Sequence, residues 1–390
     1  MSLSQSPHHQ TSLRELCFLF IKLGTTAFGG PAAHIAMMKE EVVNRRKWLT
    51  ESEFLDYLGA TNLIPGPNST ELAIHVGHHR RGWPGLLIAG ASFILPAMMI
   101  VWVIAWVYVQ YGTLPQVSGV LYGIKPVVIA VVFQALWGLS RTAIKSSFLA
   151  VLGAGALALS VAGLNEVAII FTAGFVMMIF TKLRSKQRGT LSKSILMALL
   201  PTSVTTVSAA TTVGGTMPII LPQLFLIFLK IGSVLFGSGY VLLVFLQSDL
   251  VERLHWINQT QLLDAVAVGQ FTPGPVFTTA TFIGYIIAGN FGALLATLGI
   301  FLPAFFFVAV SAPLIPKLRR SPVAGAFLDG VNVASLALMA FVTWELGRST
   351  LIDTTSVALA LGAGFCLIRY KTNSAWLVLA GGVIGFIRLF

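Results

Sequence analysis

The sequence predicts an all-α polytopic membrane protein made of two homologous halves related as an inverted repeat. Three observations carry the prediction: the composition, a helix-breaking Pro-Gly-Pro stretch that recurs inside apolar sequence, and a self-match that lays one half on the other. Of 390 residues, 56% are hydrophobic and 10% charged, and the mean hydropathy of +0.84 excludes a soluble domain. Runs such as 86–111, 117–139 and 292–316 approach or exceed the ~20 residues that cross a hydrocarbon core. The net charge of +11 lies in short loops between these runs. That pattern is a topology signal of cytoplasmic loops and gives no reason to expect a nucleic-acid partner.

Residues 1–12 are polar, without the basic start or cleavage site of a removable signal peptide. An apolar segment over 13–38 follows, interrupted by Lys22 and by Phe28-Gly-Gly-Pro31. After a basic loop with Lys39, Arg45, Arg46 and Lys47, Thr50 and Glu53 form a capping box that opens a helix. That helix ends at Pro65-Gly66-Pro67, and a second box, Asn68 with Glu71, is expected to open a short helix reaching 78–81. Neither piece can span alone, so 53–79 reads as a re-entrant helix hairpin. Broken backbone inside a bilayer needs protein or a polar cavity to satisfy it. Long spans at 86–111 and 117–139 and a shorter pair at 148–164 and 167–181 complete a first repeat over 1–181. A basic linker over 182–222, placed on the cytoplasmic side, leads to a second repeat over 223–390 with its own break at 273–275. Each half thus holds about five crossings and one re-entrant hairpin.

The halves match residue by residue. A shift of 208 positions lays Phe20, Lys22, Gly24 and Phe28 on Phe228, Lys230, Gly232 and Phe236, and Arg45 and Trp48 on Arg253 and Trp256. Asp56, Pro65, Gly66, Pro67 and Thr70 fall on Asp264, Pro273, Gly274, Pro275 and Thr278, and Asn258 with Gln261 repeats the capping box. After one deletion, Gly77, Gly82, Gly85, Leu95, Pro96 and Ala97 match Gly284, Gly289, Gly292, Leu302, Pro303 and Ala304. The loops around the first hairpin are rich in Lys and Arg and those around the second carry only Arg253, whereas the next loop reverses the bias with Lys317, Arg319 and Arg320. By the positive-inside rule the two hairpins enter from opposite faces. Inverted repeats with broken helices meeting near the midplane are a secondary-transporter plan.

The site is expected where these breaks meet. Lys22 lies about 9 residues, ~14 Å, into its segment, and Lys230 at nearly the same depth. A charged group there is costly and faces a cavity or a partner. Neither lysine has an acid on its own helix within the apolar stretch, so two ammonium groups balancing one dianion is one reading; snorkelling to an interface is the other. Each Pro-Gly-Pro break, through Gly66 and Gly274, precedes a helix start whose N–H groups and dipole suit an oxyanion. Asn62, Asn68, Ser69 and Thr70 add donors in the first half, and Thr278 and Thr279 in the second, where Val276 and Phe277 replace Asn68 and Ser69. Glu71 and Asp56 are candidates for a coupling proton, and Arg45 and Arg46 for gathering anions or gating at the mouth. His75, His78 and His79 have helical spacing, but no Asp or Cys completes a metal set there. Cys17 and Cys366 fit neither a metal nor a disulfide spacing and read as small hydrophobes.

At these residues the chain resembles the chromate ion transporter family in its long, two-domain form. The match rests on Phe28-Gly-Gly-Pro31, on Trp48-Leu-Thr with Glu53-Phe-Leu-Asp56, on the 62–71 stretch and on Phe93-Ile-Leu-Pro-Ala97, with a weaker echo at 273–275. The resemblance implies a prokaryotic inner-membrane protein that expels chromate and confers resistance to it. Sulfate has nearly the same shape and charge, so sulfate uptake or sulfate–chromate exchange is the alternative, and an anion channel is the rival of another class. No phosphate-binding loop is present, so the expectation is a secondary transporter, not an enzyme, with no cofactor. The expected partners are the bilayer and the chromate or sulfate it carries, and a homodimer is admissible.

Overall fold

The computed structural model describes residues 11–28, 30–112, 114–186, 217–236, 239–311 and 321–388. Most of the expected linker, the basic cluster Lys317, Arg319 and Arg320, and Gly29 with Gly237, which the 208-residue shift also pairs, lie outside the described residues. The first repeat comprises α1 (Leu13–Thr26), α2 (Gly30–Lys39) continued by a π-helical turn at Glu40–Arg45, α3 (Glu51–Thr61), α4 (Asn68–Tyr111), α5 (Pro115–Ala143), α6 (Ser147–Val161) and α7 (Glu166–Lys186). The second comprises α8 (Met217–Val234), α9 (Leu242–Leu246) with a π-helical turn at Gln247–Arg253, α10 (Gln259–Phe271), α11 (Thr279–Ser311), α12 (Pro322–Thr350), α13 (Thr354–Tyr370) and α14 (Ser374–Ile387). Among the described residues every regular element is helical. Among the described residues, five segments are long and apolar enough to cross a membrane: Asn68–Tyr111, Pro115–Ala143, Glu166–Arg184, Val276–Ser311 and Pro322–Thr350. Outward-facing side chains such as Leu87, Phe133, Phe291, Phe306 and Trp344 are exposed, as a hydrocarbon solvent permits.

Local chemistry sets the element boundaries. Thr50 with Glu53, and Asn258 with Gln261, close complete capping boxes at the starts of α3 and α10. The expected box of Asn68 with Glu71 does not form. Pro67 is the N-cap of α4 and supplies no side-chain bond, because its ring carries no polar atom; it contributes only a fixed φ at helix entry. Asn68 is therefore inside the first turn and donates to Asn62 Oδ1 at 2.7 Å, and Glu71 turns inward to full burial. The second hairpin arm and the following span are, as expected, two helices, joined end to end within α4 across a non-helical kink. The bend falls at Arg81 and Gly82, where Gly82 has φ +60. Pro84 just beyond it has no N–H to return to the preceding turn. Ala288 and Gly289 repeat the bend in α11.

The 208-residue shift holds in three dimensions. Lys47 and His255 (matched positions) both have φ of 52. Trp48 N donates to the Val42 carbonyl at 2.8 Å, and Trp256 N to Leu250 at 2.9 Å. The repeats are interleaved: α5 packs on α13 and α14 of the second half, while its counterpart α12 packs on α6 and α7 of the first. Gly119 and Gly123 of α5 meet Gly381 and Gly385 of α14 backbone to backbone. Such small-xxx-small faces let apolar helices approach where lipid offers no hydrophobic drive.

Candidate functional site

Each repeat is broken twice, once after α1 or α8 and once at Pro-Gly-Pro, and the structure crosses these breaks. Gly66 N–H donates to the Leu235 carbonyl at 2.8 Å, and Gly274 N–H to the Ala27 carbonyl at 3.1 Å. Ala27 and Leu235 are matched positions, so one bond between repeats is made twice. Carbonyls left without helical partners at the ends of α1 and α8 are thereby satisfied by the opposite repeat. The loops require glycine: φ is +138 at Gly66 and +90 at Gly274. A Cβ at Gly66 would overlap Glu71 Oε1, and one at Gly274 would lie 2.6 Å from Ala97 Cβ.

A cavity of 560 Å³ lies between the two crossed breaks. Pro31, Asn62, Pro67, Asn68 and Ser69 form one wall, and Phe236, Gly239, Val241, Val276 and Phe277 form the wall opposite. The ends of α5 and α12 close the sides, bringing Lys145, Asp329, Asn332 and Ser335 to it. The N–H groups of Asn68 and Ser69 have no acceptor within α4, and the positive end of that helix is at the same wall. His34 is buried behind it, with Nδ1 3.2 Å from Ser69 Oγ and Nε2 3.1 Å from the Ala27 carbonyl. Lys145 is the cation at the wall, ion-paired to Asp329 at 2.7 Å.

Of the residues singled out in the sequence, Asn62, Asn68 and Ser69 line this cavity. Gly66 and Gly274 spend their N–H groups on the bonds between repeats. Thr70 is fully buried with its hydroxyl unbonded. Thr278 and Thr279 donate their hydroxyls to the Pro275 and Val276 carbonyls, both at 2.8 Å, which leaves no proton to offer an anion. The second wall is therefore the apolar one.

Lys22 and Lys230 are not at the cavity wall. Lys22 Nζ donates to Glu41 at 2.7 Å, and Lys230 Nζ to Asp249 at 2.8 Å. These pairs are matched positions too, and each acid comes from the π-helical turn that follows the first break. The lysine side chains are 53% and 42% exposed while their acids are 9% and 6% exposed, so each lysine compensates an acid of its own repeat. Arg45 reaches Glu40 at 3.2 Å and Glu41 at 3.4 Å. Arg46 reaches Glu15 at 2.5 Å and Glu41 at 3.4 Å. Asp56 is half-buried on α3. Its counterpart Asp264 is buried, 3.1 Å from Lys125 Nζ, and accepts from the Tyr108 hydroxyl at 2.9 Å.

Sequence reasoning missed His34, the Lys145–Asp329 pair, and Lys125 with Tyr108. His34 carried a signal, since it stands one turn beyond the Gly-Gly-Pro break. The other pairings join residues from different repeats, and nothing local announces them. Among the described residues no group of three His, Cys, Asp or Glu side chains is placed to hold a metal ion.

The family model described as chromate transporter matches residues 14–179 and again 222–386. The chain belongs to the chromate transporter family. The model thus matches the chain twice, and with its long apolar helices this family member is a multi-pass membrane protein. It is similar to a chromate transport protein of Cupriavidus metallidurans, 32% identical over 96% of this chain and 92% of that one. A probable chromate transport protein of Synechococcus elongatus is 31% identical over 91% and 89%. A chromate transport protein of Pseudomonas aeruginosa is 28% identical over 96% and 92%. No solved structure matches the chain.

Proposed function

We propose that this chain is a secondary transporter that moves chromate outward across a prokaryotic inner membrane and so confers chromate resistance. The observation that carries the reading is the cavity between the crossed breaks, with one donor-bearing helix start in its wall. An oxyanion accepts hydrogen bonds and donates none. The wall offers it the Asn68 and Ser69 backbone N–H groups and the Asn68 amide N–H that Asn62 does not take, while the Ser69 hydroxyl donates its proton to His34 Nδ1, whose Nε2 donates to the Ala27 carbonyl. Desolvating even a unit charge costs on the order of 20 kcal/mol by Born estimates, so a doubly charged ion needs the helix dipole and these donors together. The relatives named as chromate transport proteins supply the choice of ion.

In this reading the repeats are inverted in the membrane and the 53–79 hairpin is re-entrant. Alternating access is then an exchange between two equivalent packings. Lys145 and Asp329 line the present cavity. Near the start of α5, Tyr122 donates to Asp353 at 2.6 Å, with Arg388 pairing to Asp353 at 3.0 Å. Lys22 and Lys230 act through their acids, holding the turns that follow each first break.

Sulfate transport is the second reading, because the donors at this wall recognise a tetrahedral dianion by shape and charge alone. Chromate uptake into everted membrane vesicles, with and without excess sulfate, tests both. Uptake that sulfate competes away and that Asn68→Ala weakens about tenfold supports outward chromate transport through this cavity. No chromate uptake there, with sulfate entering right-side-out vesicles, replaces it by sulfate import.

A further inference from the structure

Four titratable side chains of the first repeat have no role in holding the anion, and they form one line. Glu71 and His75 stand one turn apart on α4, and they are 0% and 1% exposed. Neither Glu71 oxygen and neither His75 ring nitrogen has a hydrogen-bond partner. The Tyr57 ring from α3 stacks on the His75 ring at 5.5 Å between centroids, and its hydroxyl lies 2.8 Å from His79 Nδ1. His79, a further turn along α4, is exposed. The line therefore runs from the Pro-Gly-Pro break, where Glu71 Oε1 lies against Gly66, to the protein surface. Residues spaced by four share a helix face, close enough for one water or a rotamer change to connect them.

The second repeat is an internal control. It builds the same break and the same bent helix with Thr279, Ile283 and Ile286 at the positions of Glu71, His75 and His79, and Ala265 at that of Tyr57. The fold requires none of the four. An unpartnered buried carboxylate is costly, and a retained one marks function more often than stability.

Resting on the anion-transport reading, we propose that Glu71, His75, Tyr57 and His79 are a proton path, and that a proton moving along it is coupled to the anion. A proton on Glu71 removes the cost of a buried charge in the present conformation. Its loss leaves a carboxylate against Gly66 that competes with the Leu235 carbonyl for the Gly66 N–H. That bond is one of the two matched loop-to-loop backbone bonds between the repeats, so the proton is felt where the repeats move past each other. Charged and polar groups of the packed elements flank the line. From α3, Glu53 adds a negative charge beside Tyr57; from α2, His34 faces Ser69; on α4 itself, His78 neighbours His75. The helix α1 places Leu16, Leu19 and Leu23 in one cluster with Leu72 and Val76, and α11 places Ala304 and Val308 with Ile74.

The test uses the full chain in proteoliposomes with equal chromate on both sides, a labelled trace, and the membrane potential clamped at zero. At equal pH the label should exchange in wild type, in Glu71→Gln and in His75→Phe. With a gradient of one pH unit, wild type should accumulate chromate about tenfold per coupled proton, and both variants should stay at equal concentrations. If Glu71→Gln fails to exchange at equal pH, Glu71→Thr, which copies the second repeat, and His79→Ala at the exposed end decide the question by the same criterion. Accumulation by the variants equal to wild type overturns the path. Wild-type exchange that ignores the pH gradient overturns coupling while sparing anion transport. No wild-type exchange of chromate or sulfate overturns the transport reading, and this inference with it.

Discussion

Gly274→Ala isolates what the crossed breaks contribute. Two costs add at this position. An L-residue held at φ +90 is strained by about 1–3 kcal/mol. Its new Cβ would lie 2.6 Å from Ala97 Cβ and 3.0 Å from the Gly24 carbonyl oxygen, an overpacking worth about 1–3 kcal/mol more. Gly82→Ala is the matched control. It is also at positive φ, +60, but its Cβ would meet nothing within 4 Å, so it bears the strain alone. The expectation is that Gly274→Ala loses about 2 kcal/mol more than Gly82→Ala, and that it loses chromate uptake as the loop leaves the Ala27 carbonyl. Unfolding in micelles under an SDS titration, followed by tryptophan fluorescence, measures the first, and everted vesicles measure the second. If Gly274→Ala is no less stable than Gly82→Ala, the tight contact between the repeats at this loop is refuted.

Three further expectations follow from named contacts. Lys22→Met leaves Glu41, 9% exposed, without its nearest cation and should cost about 1 kcal/mol, discounted because the lysine is half exposed. Adding Glu41→Gln should recover most of that stability and of the uptake, whereas a double variant that stays inactive would make Lys22 an anion ligand after all. Cysteines at Arg46 and Arg253 should label with an impermeant maleimide from opposite faces of the membrane; labelling from one face ends the inverted arrangement. The Asp353 carboxyl, in the loop between α12 and α13, is held well below its usual range first by the Tyr122 hydroxyl, then by Ser356 and Arg388. A depressed carboxylate stabilises fully above its unfolded value, about 3.9, and progressively less below it. Tyr122→Phe should therefore melt lower than wild type by a constant margin from pH 6 to 8. The margin should narrow below pH 4, and one that widens in acid would show that Tyr122 acts otherwise.

The sequence by itself determined the class, the duplication and the place of the breaks, because each of these is written in local or periodic chemistry. Apolar run lengths answer to bilayer thickness, Pro-Gly-Pro breaks a helix wherever it stands, and matched Lys, Trp, Asp and Gly positions survive as a readable shift. The capping boxes at Thr50 and Asn258 were legible for the same reason. The supposed box at Asn68 was not, because a proline one position earlier reset the helix frame and sent Glu71 inward.

What the tertiary structure decided is pairing. Lys22 and Lys230 looked like free charges because their acids lie in the next element of the same repeat, brought back by a chain reversal that no spacing rule encodes. Gly66 and Gly274 looked like anion donors, yet their N–H groups answer to carbonyls in the opposite repeat. The donor-bearing wall at Asn68 and Ser69, its support from His34, and the line from Glu71 to His79 exist only once α2, α3 and α4 are packed. Long-range pairing is set by how interleaved repeats close on each other, and a linear chain holds no record of that geometry beyond the small residues that allow it.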